Sequence, residues 1–174
     1  MSRFAKAALS FSLFMALGAA QASAQTGFCL SEVRNLNLDP AVLGPGFTIV
    51  YNDDGGGQIS CVDCQDTAAI TFFLGMNDDR EQGLRDGTLT ADGLTENCLK
   101  TGPNCSARTF VEGASVGYWL ENRFLDKVQH RYSLYNDGKV MTVRGTAALT
   151  ERERISTATE TVFRSIERQM HCAS

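Results

Sequence analysis

The chain has no second long apolar run. Beyond residues 7–20, no stretch approaches the roughly 20 apolar residues a spanning helix needs, so nothing later in the chain is built to cross a bilayer. It has no internal repeat, no low-complexity tract and no alternation of strand and helix patterns. Solenoids and doubly wound parallel sheets are thereby excluded. It has no basic excess. Its 16 Lys and Arg face 20 Asp and Glu, so nucleic acid and anionic lipid are poor partners for its net surface. No motif fixes a cofactor, and none by itself fixes a reaction.

What is present begins at the N-terminus. Arg3 and Lys6 precede an apolar run from Ala7 to Ala20, and Ala22-Ser23-Ala24 gives the small-residue pattern of a signal-peptidase site. The sequence therefore predicts a cleaved signal peptide over 1–24 and one mature domain over 25–174. A lipoprotein would need a cysteine at the cut, where Gln25 stands, and no twin-arginine pair occurs. The expected location is the periplasm or the secreted medium. Losing Arg3 and Lys6 leaves 14 basic residues and a mature net charge of −6. That charge is uneven: 39–92 carries ten acids against two bases, whereas 121–168 carries seven acids against nine bases.

Phe47 to Tyr51 and Thr67 to Met76 read as strands, the second nearly all apolar and so central. Asn77 or Asp78 is a helix start with Gly87 as its stop. A second helix spans Thr90 or Asp92 to Lys100. Thr109 to Leu120 alternates as one strand. Val128 to Tyr135 alternates as another, with Val128, His130, Tyr132 and Leu134 on one side. Asp137-Gly138 then supplies a hairpin turn into Val140 to Ala147. Thr150, with Glu153 three residues on, predicts a capping box opening a final helix. On that helix Ile155, Ala158, Val162, Phe163, Ile166 and Met170 share a face. The expected fold is α+β: a single domain with an antiparallel sheet of about five strands, the C-terminal amphipathic helix packed on it, and disulfides reinforcing it.

This order of elements, with Tyr135-Asn136-Asp137-Gly138-Lys139-Val140-Met141-Thr142-Val143 and Phe163-Arg164-Ser165-Ile166, resembles the periplasmic PsbP/Mog1-like α+β proteins over residues 108–170. The resemblance implies an accessory or binding role. It carries over no site residues, and the cysteines depart from its usual pattern.

All six cysteines follow the predicted cut: Cys29, Cys61, Cys64, Cys98, Cys105 and Cys172. In an exported domain they are expected to form three disulfides, among fifteen possible connectivities. Cys29 and Cys172 sit at the two ends of the mature chain, and a turn-like stretch separates Cys98 from Cys105. Cys61-Val62-Asp63-Cys64 is either a structural disulfide, local or shared with Cys98 and Cys105, or a redox pair, or half of a zinc site.

Three further motifs carry possible chemistry. Asn52, Asp54 and Asp63, around Gly57, have the spacing of a calcium loop, although Gly56 lacks the oxygen such a loop needs. Gly113-Ala114-Ser115-Val116-Gly117 has the pattern of a serine nucleophile elbow, with Asp126 or Asp137 and then His171 following in order. The residues after Ser115 nevertheless continue a strand. His130 reads as a core or half-buried histidine. Three functions are open. The first is an exported, non-catalytic binding or accessory protein whose partner is a protein or an envelope component. The others are a thiol–disulfide oxidoreductase using Cys61 and Cys64, and a cation-binding protein using the 52–63 loop.

Overall fold

The computed structural model describes residues 28–29, 32–52, 55–64, 68–76 and 79–171. The expected signal peptide 1–24, Asp54 and Cys172 lie outside the described residues. Seven strands form one antiparallel sheet: β1 (Phe47–Asn52), β2 (Gly56–Cys61), β3 (Ala68–Met76), β4 (Asn104–Glu112), β5 (Ser115–Phe124), β6 (Lys127–Asn136) and β7 (Lys139–Ala148). Their spatial order is β1-β2-β3-β7-β6-β5-β4. Two meanders, β1–β3 and β4–β7, therefore meet at the β3–β7 pair. The chain crosses between them through α1 (Arg80–Asp86) and α2 (Ala91–Leu99), and ends in α3 (Arg152–Met170). Among the described residues no helix is long and apolar enough to cross a membrane.

The α+β class and the C-terminal helix agree with the sequence reading; the strand count does not. Two errors turned seven strands into five. Gly56–Cys61, inside the expected 52–63 cation loop, is β2 and pairs with β1 and β3. It escaped notice because Gly56 and Gly57 weaken the strand pattern. A Cβ on Gly57 would collide with the Phe72 ring, so the glycine is what admits that ring. Thr109–Leu120, read as one strand, is two, folded back at Gly113-Ala114 with Gly113 at φ 58°. The apparent alternation ran through a turn, so Phe110 and Val116 face opposite sides of the sheet. The expected capping box also fails to form. Leu149–Glu151 is a 3-10 turn, Glu151 is the cap residue of α3, and no side-chain cap bond is made there.

The sheet has two unlike faces. On one, Ile59, Ile70, Phe72, Val128, Tyr132, Leu134, Met141 and Val143 pack against Ile155, Val162, Phe163, Ile166 and Met170 of α3. Tyr132 stacks on Phe163 with ring centroids 4.7 Å apart. Gly145 permits this approach, because a Cβ there would overlap the Thr159 hydroxyl on α3. On the other face a smaller cluster of Leu94, Val116, Tyr118 and Tyr135, with Leu84, Leu89 and Leu120, seats α1 and α2. The helices on that side touch β4 and β5.

One carboxylate ties α1 to the strand turns. Glu81 accepts the Asp137 and Gly138 N–H groups at 3.2 and 3.1 Å, and Arg85 donates to it at 2.6 Å. Asp137 and Gly138 take positive φ, 50° and 73°, as the hairpin expectation required. Arg85 also donates to the Ala114 carbonyl in the β4–β5 turn. At the chain ends, Cys29 N–H donates to the Met170 carbonyl at 2.9 Å, and Phe28 forms a bridge with His171.

Candidate functional site

The predicted site residues are dispersed. Cys61 ends β2, and its disulfide with Cys64 spans 5.4 Å between Cα atoms. Activation of such a pair normally comes from a helix starting at the first cysteine. Here the chain bends and the next regular element is β3, so Cys61 lacks that influence. Cys98, in the last turn of α2, is bonded to Cys105 in β4, with Cα atoms 5.8 Å apart. Both bridges are local, and each cysteine is spent within its own pair. The backbone holds Cys29 beside the end of α3; Cys172, its expected partner, lies outside the described residues.

The 52–63 segment forms a hairpin. Asn52 pairs with Gly56, and Gly57 stands opposite Tyr51. Asp63 lies beyond the Phe47–Cys61 row, where its carboxylate fills the space beside Gly46. Five residue steps of strand, roughly 17 Å, separate that row from Asn52. Asn52 and Asp63 therefore do not converge on a common point, and Asp54 lies outside the described residues.

Ser115 is fully buried at the start of β5, directly after a two-residue turn, and its hydroxyl has no hydrogen-bond partner. His171 instead faces Glu167 at 4.0 Å. Asp126 sits beyond the far end of β5, roughly 30 Å of strand away. A nucleophile needs a base within hydrogen-bond reach, and among the described residues Ser115 has none.

A buried polar cluster went unread in the sequence. Glu121 of β5 is 5% exposed and accepts from Arg123 at 2.7 Å and from both Nε and Nη2 of Arg152 at 2.9–3.2 Å. Burial alone would raise its pKa, but the bonds from Arg152 and Arg123 outweigh that and hold it below the usual range. His130 is 1% exposed, with Nδ1 3.5 Å from Glu121 and both ring nitrogens without a hydrogen bond. Burial pushes its pKa down and keeps the ring neutral, against the opposing pull of Glu121. Because the Glu121 oxygens are occupied by arginine donors, the cluster ties β5 to the start of α3.

The other face of the sheet is the less ordinary one. The seven strands contain two carboxylates, Glu112 and Glu121. Both face α3 and both meet its arginines, Glu112 with Arg164 at 3.0 Å and Glu121 with Arg152. The opposite face has no acid on any strand. It does carry two arginines in direct cross-strand register, Arg131 of β6 and Arg144 of β7. One row across this face runs Val50, Gln58, Thr71, Arg144, Arg131 and Leu120. Val50 and Phe73 are 62% and 43% exposed there. Among the described residues neither arginine has a carboxylate partner, and the Nε of each is shielded from solvent without a hydrogen bond. Burial and the neighbouring Arg131 charge both depress the Arg144 pKa. Beside them, Ser133 and Thr142 share a hydroxyl contact at 3.3 Å. Burial would raise the Tyr118 phenol, but Ser133, Tyr135 and the Arg131 guanidinium bring it below its ordinary value. Sequence reasoning missed this arrangement, although one signal existed: the segments of β1, β2, β3, β6 and β7 contain no Asp or Glu in an acidic protein.

No family model and no curated protein matches the chain. Among solved structures, the fold is similar to the solution structure of cyanobacterial PsbP (CyanoP) from Synechocystis sp. PCC 6803. The two share 17% sequence identity, over 70% of this chain and 81% of that one, with a TM-score of 0.49. The PsbP-like resemblance read from residues 108–170 holds as a weak likeness in fold.

Proposed function

We propose that this protein is an exported, non-catalytic binding or accessory protein of the cell envelope. In this reading its disulfides brace the fold, and a partner docks on the half of the sheet away from α3. The observation that carries it is the face over β1, β2, β3 and β7, whose strands contain no acid. The helices α1 and α2 seat against β4 and β5, and Val50 and Phe73 stand exposed on the remainder. An apolar pair on a polar sheet surface suits a contact that excludes water locally while the surrounding hydrogen-bonding groups set its orientation.

The predicted signal peptide and the two disulfides support an oxidising, extracytoplasmic location. Photo-crosslinking in intact cells tests the reading, with the crosslinking residue placed at Val50, at Phe73, or at exposed Glu160 on α3. A discrete adduct from Val50 and Phe73, absent from Glu160, is expected. Equal labelling from all three positions, or none, refutes docking on this face. Fractionation of the same cells locates the protein, and recovery in the cytoplasm refutes export.

A further inference from the structure

We propose that Arg131 and Arg144 form a binding site for a small dianionic oxyanion of the phosphate or sulfate class, on the sheet face away from α3. The proposal rests on reading that face as the binding surface and names the chemistry at its centre. Its basis is a pair of like charges that no carboxylate among the described residues offsets. Like charges placed directly opposite on neighbouring strands repel, since their Cβ atoms stand about 5 Å apart. Such a pair is normally relieved by an acid nearby. Every strand carboxylate points the other way and is already held by an arginine of α3. Among the described residues, no carboxylate reaches either guanidinium.

The surroundings suit an oxyanion. Each guanidinium offers a planar fork of donors, and two forks side by side match the several oxygens and double charge of a tetrahedral anion better than the single charge of a carboxylate. Thr71 and Gln58 continue the row on one side, and Ser133, Thr142 and Tyr118 lie buried in the adjacent row. Partial burial lowers the local dielectric, which strengthens attraction for an arriving anion as much as it strengthens repulsion in its absence. The overall negative charge of the protein is no obstacle, because salt screens distant surface charges within about 10 Å.

Calorimetric titration of the purified protein, disulfides intact, with inorganic phosphate and with sulfate tests this. Sodium chloride at matched ionic strength is the control. Saturable one-to-one binding of both dianions, with competition between them, is expected. Arg131→Gln and Arg144→Gln should each weaken it at least about tenfold, the loss of one charge-assisted contact. Arg144→Lys, which keeps charge but loses the fork, should fall between. Arg144→Gln should also melt no lower than the parent in chloride alone, because it relieves a buried charge and a repulsion; this separates loss of the site from loss of the fold. Phosphate heats indistinguishable from chloride overturn the proposal, as do Gln variants that bind like the parent. Binding to phosphatidylglycerol vesicles without any response to free phosphate also overturns it, by assigning the arginines to a membrane surface. Crosslinking from Val50 and Phe73 is read without added anion, so the docking face and the anion site can fail separately.

Discussion

Replacing Glu81 by glutamine should unpin α1 from the strand turns. The carboxylate accepts two backbone N–H groups, from Asp137 and Gly138, and two donors from Arg85. Glutamine keeps one acceptor oxygen and turns an NH2 group toward donors. Bonds to a charged group are worth about 1.5–3 kcal/mol each when buried. The Arg85 side chain is 42% exposed, so its share is small. The two turn N–H groups belong to exposed residues and recover part of their loss from water, leaving about 1 kcal/mol apiece. The expected cost is therefore about 2 kcal/mol, or a Tm lower by roughly 4–8 °C in a domain of this size.

The pH dependence follows from the same bonds. Burial would raise the Glu81 pKa, but Arg85 and the Gly138 and Asp137 N–H groups bring it below its usual 4.5. The unfolded chain then binds more protons than the folded one between those two values. The Glu81 contribution is complete above about pH 4.5 and is lost as pH falls through the folded-state value. Urea unfolding of parent and Glu81→Gln at pH 7 and pH 3 should show a gap that narrows in acid. A gap below about 0.5 kcal/mol at pH 7, or one unchanged at pH 3, would refute the pinning role.

Four further outcomes are expected. His130 is buried and its pKa is depressed, so stability is complete above about pH 6.5 and falls as pH drops through the lower folded value; His130→Leu should flatten the Tm profile between pH 7 and 5. Ser115→Ala removes a buried hydroxyl that makes no hydrogen bond, and calorimetry should find stability unchanged or raised by up to about 1 kcal/mol. Replacing Cys98 and Cys105 together by alanine opens a short loop and should cost about 2.5 kcal/mol in urea unfolding under oxidising conditions. Gly145→Ala places a methyl where the Thr159 hydroxyl lies and should cost about 1–3 kcal/mol by the same measurement.

Much of the fold was legible because its signals are local. The period-2 alternation of Val128–Tyr135 gave β6, Asp137-Gly138 gave the turn, and the 3.6-residue spacing of Ile155, Val162, Phe163 and Ile166 gave α3 with its buried face. Of the two starts open for α2, Thr90 or Asp92, Thr90 is the cap, its hydroxyl accepting the Gly93 N–H at 3.1 Å. What failed depended on distant partners. Gly56–Cys61 became a strand because β1 and β3 flank it and the Phe72 ring needs the space above Gly57, facts that no window of a few residues contains. The Gly113-Ala114 turn hid inside an alternation that happened to continue through it.

The charge pattern divides the same way. Composition determined a net acidic chain with an uneven, base-rich C-terminal half, and cysteine placement determined which bridges were locally reachable. Only the tertiary structure decided which charges meet. Glu112 and Glu121 fall on the face that receives α3 and are matched there by Arg164 and Arg152. Arg131 and Arg144 fall on the opposite face, in register, with no acid of any strand beside them. The physical reason is that strand parity assigns a side chain to a face, while register and strand order assign its neighbours. Parity is written within a strand; register is written between strands far apart in the chain.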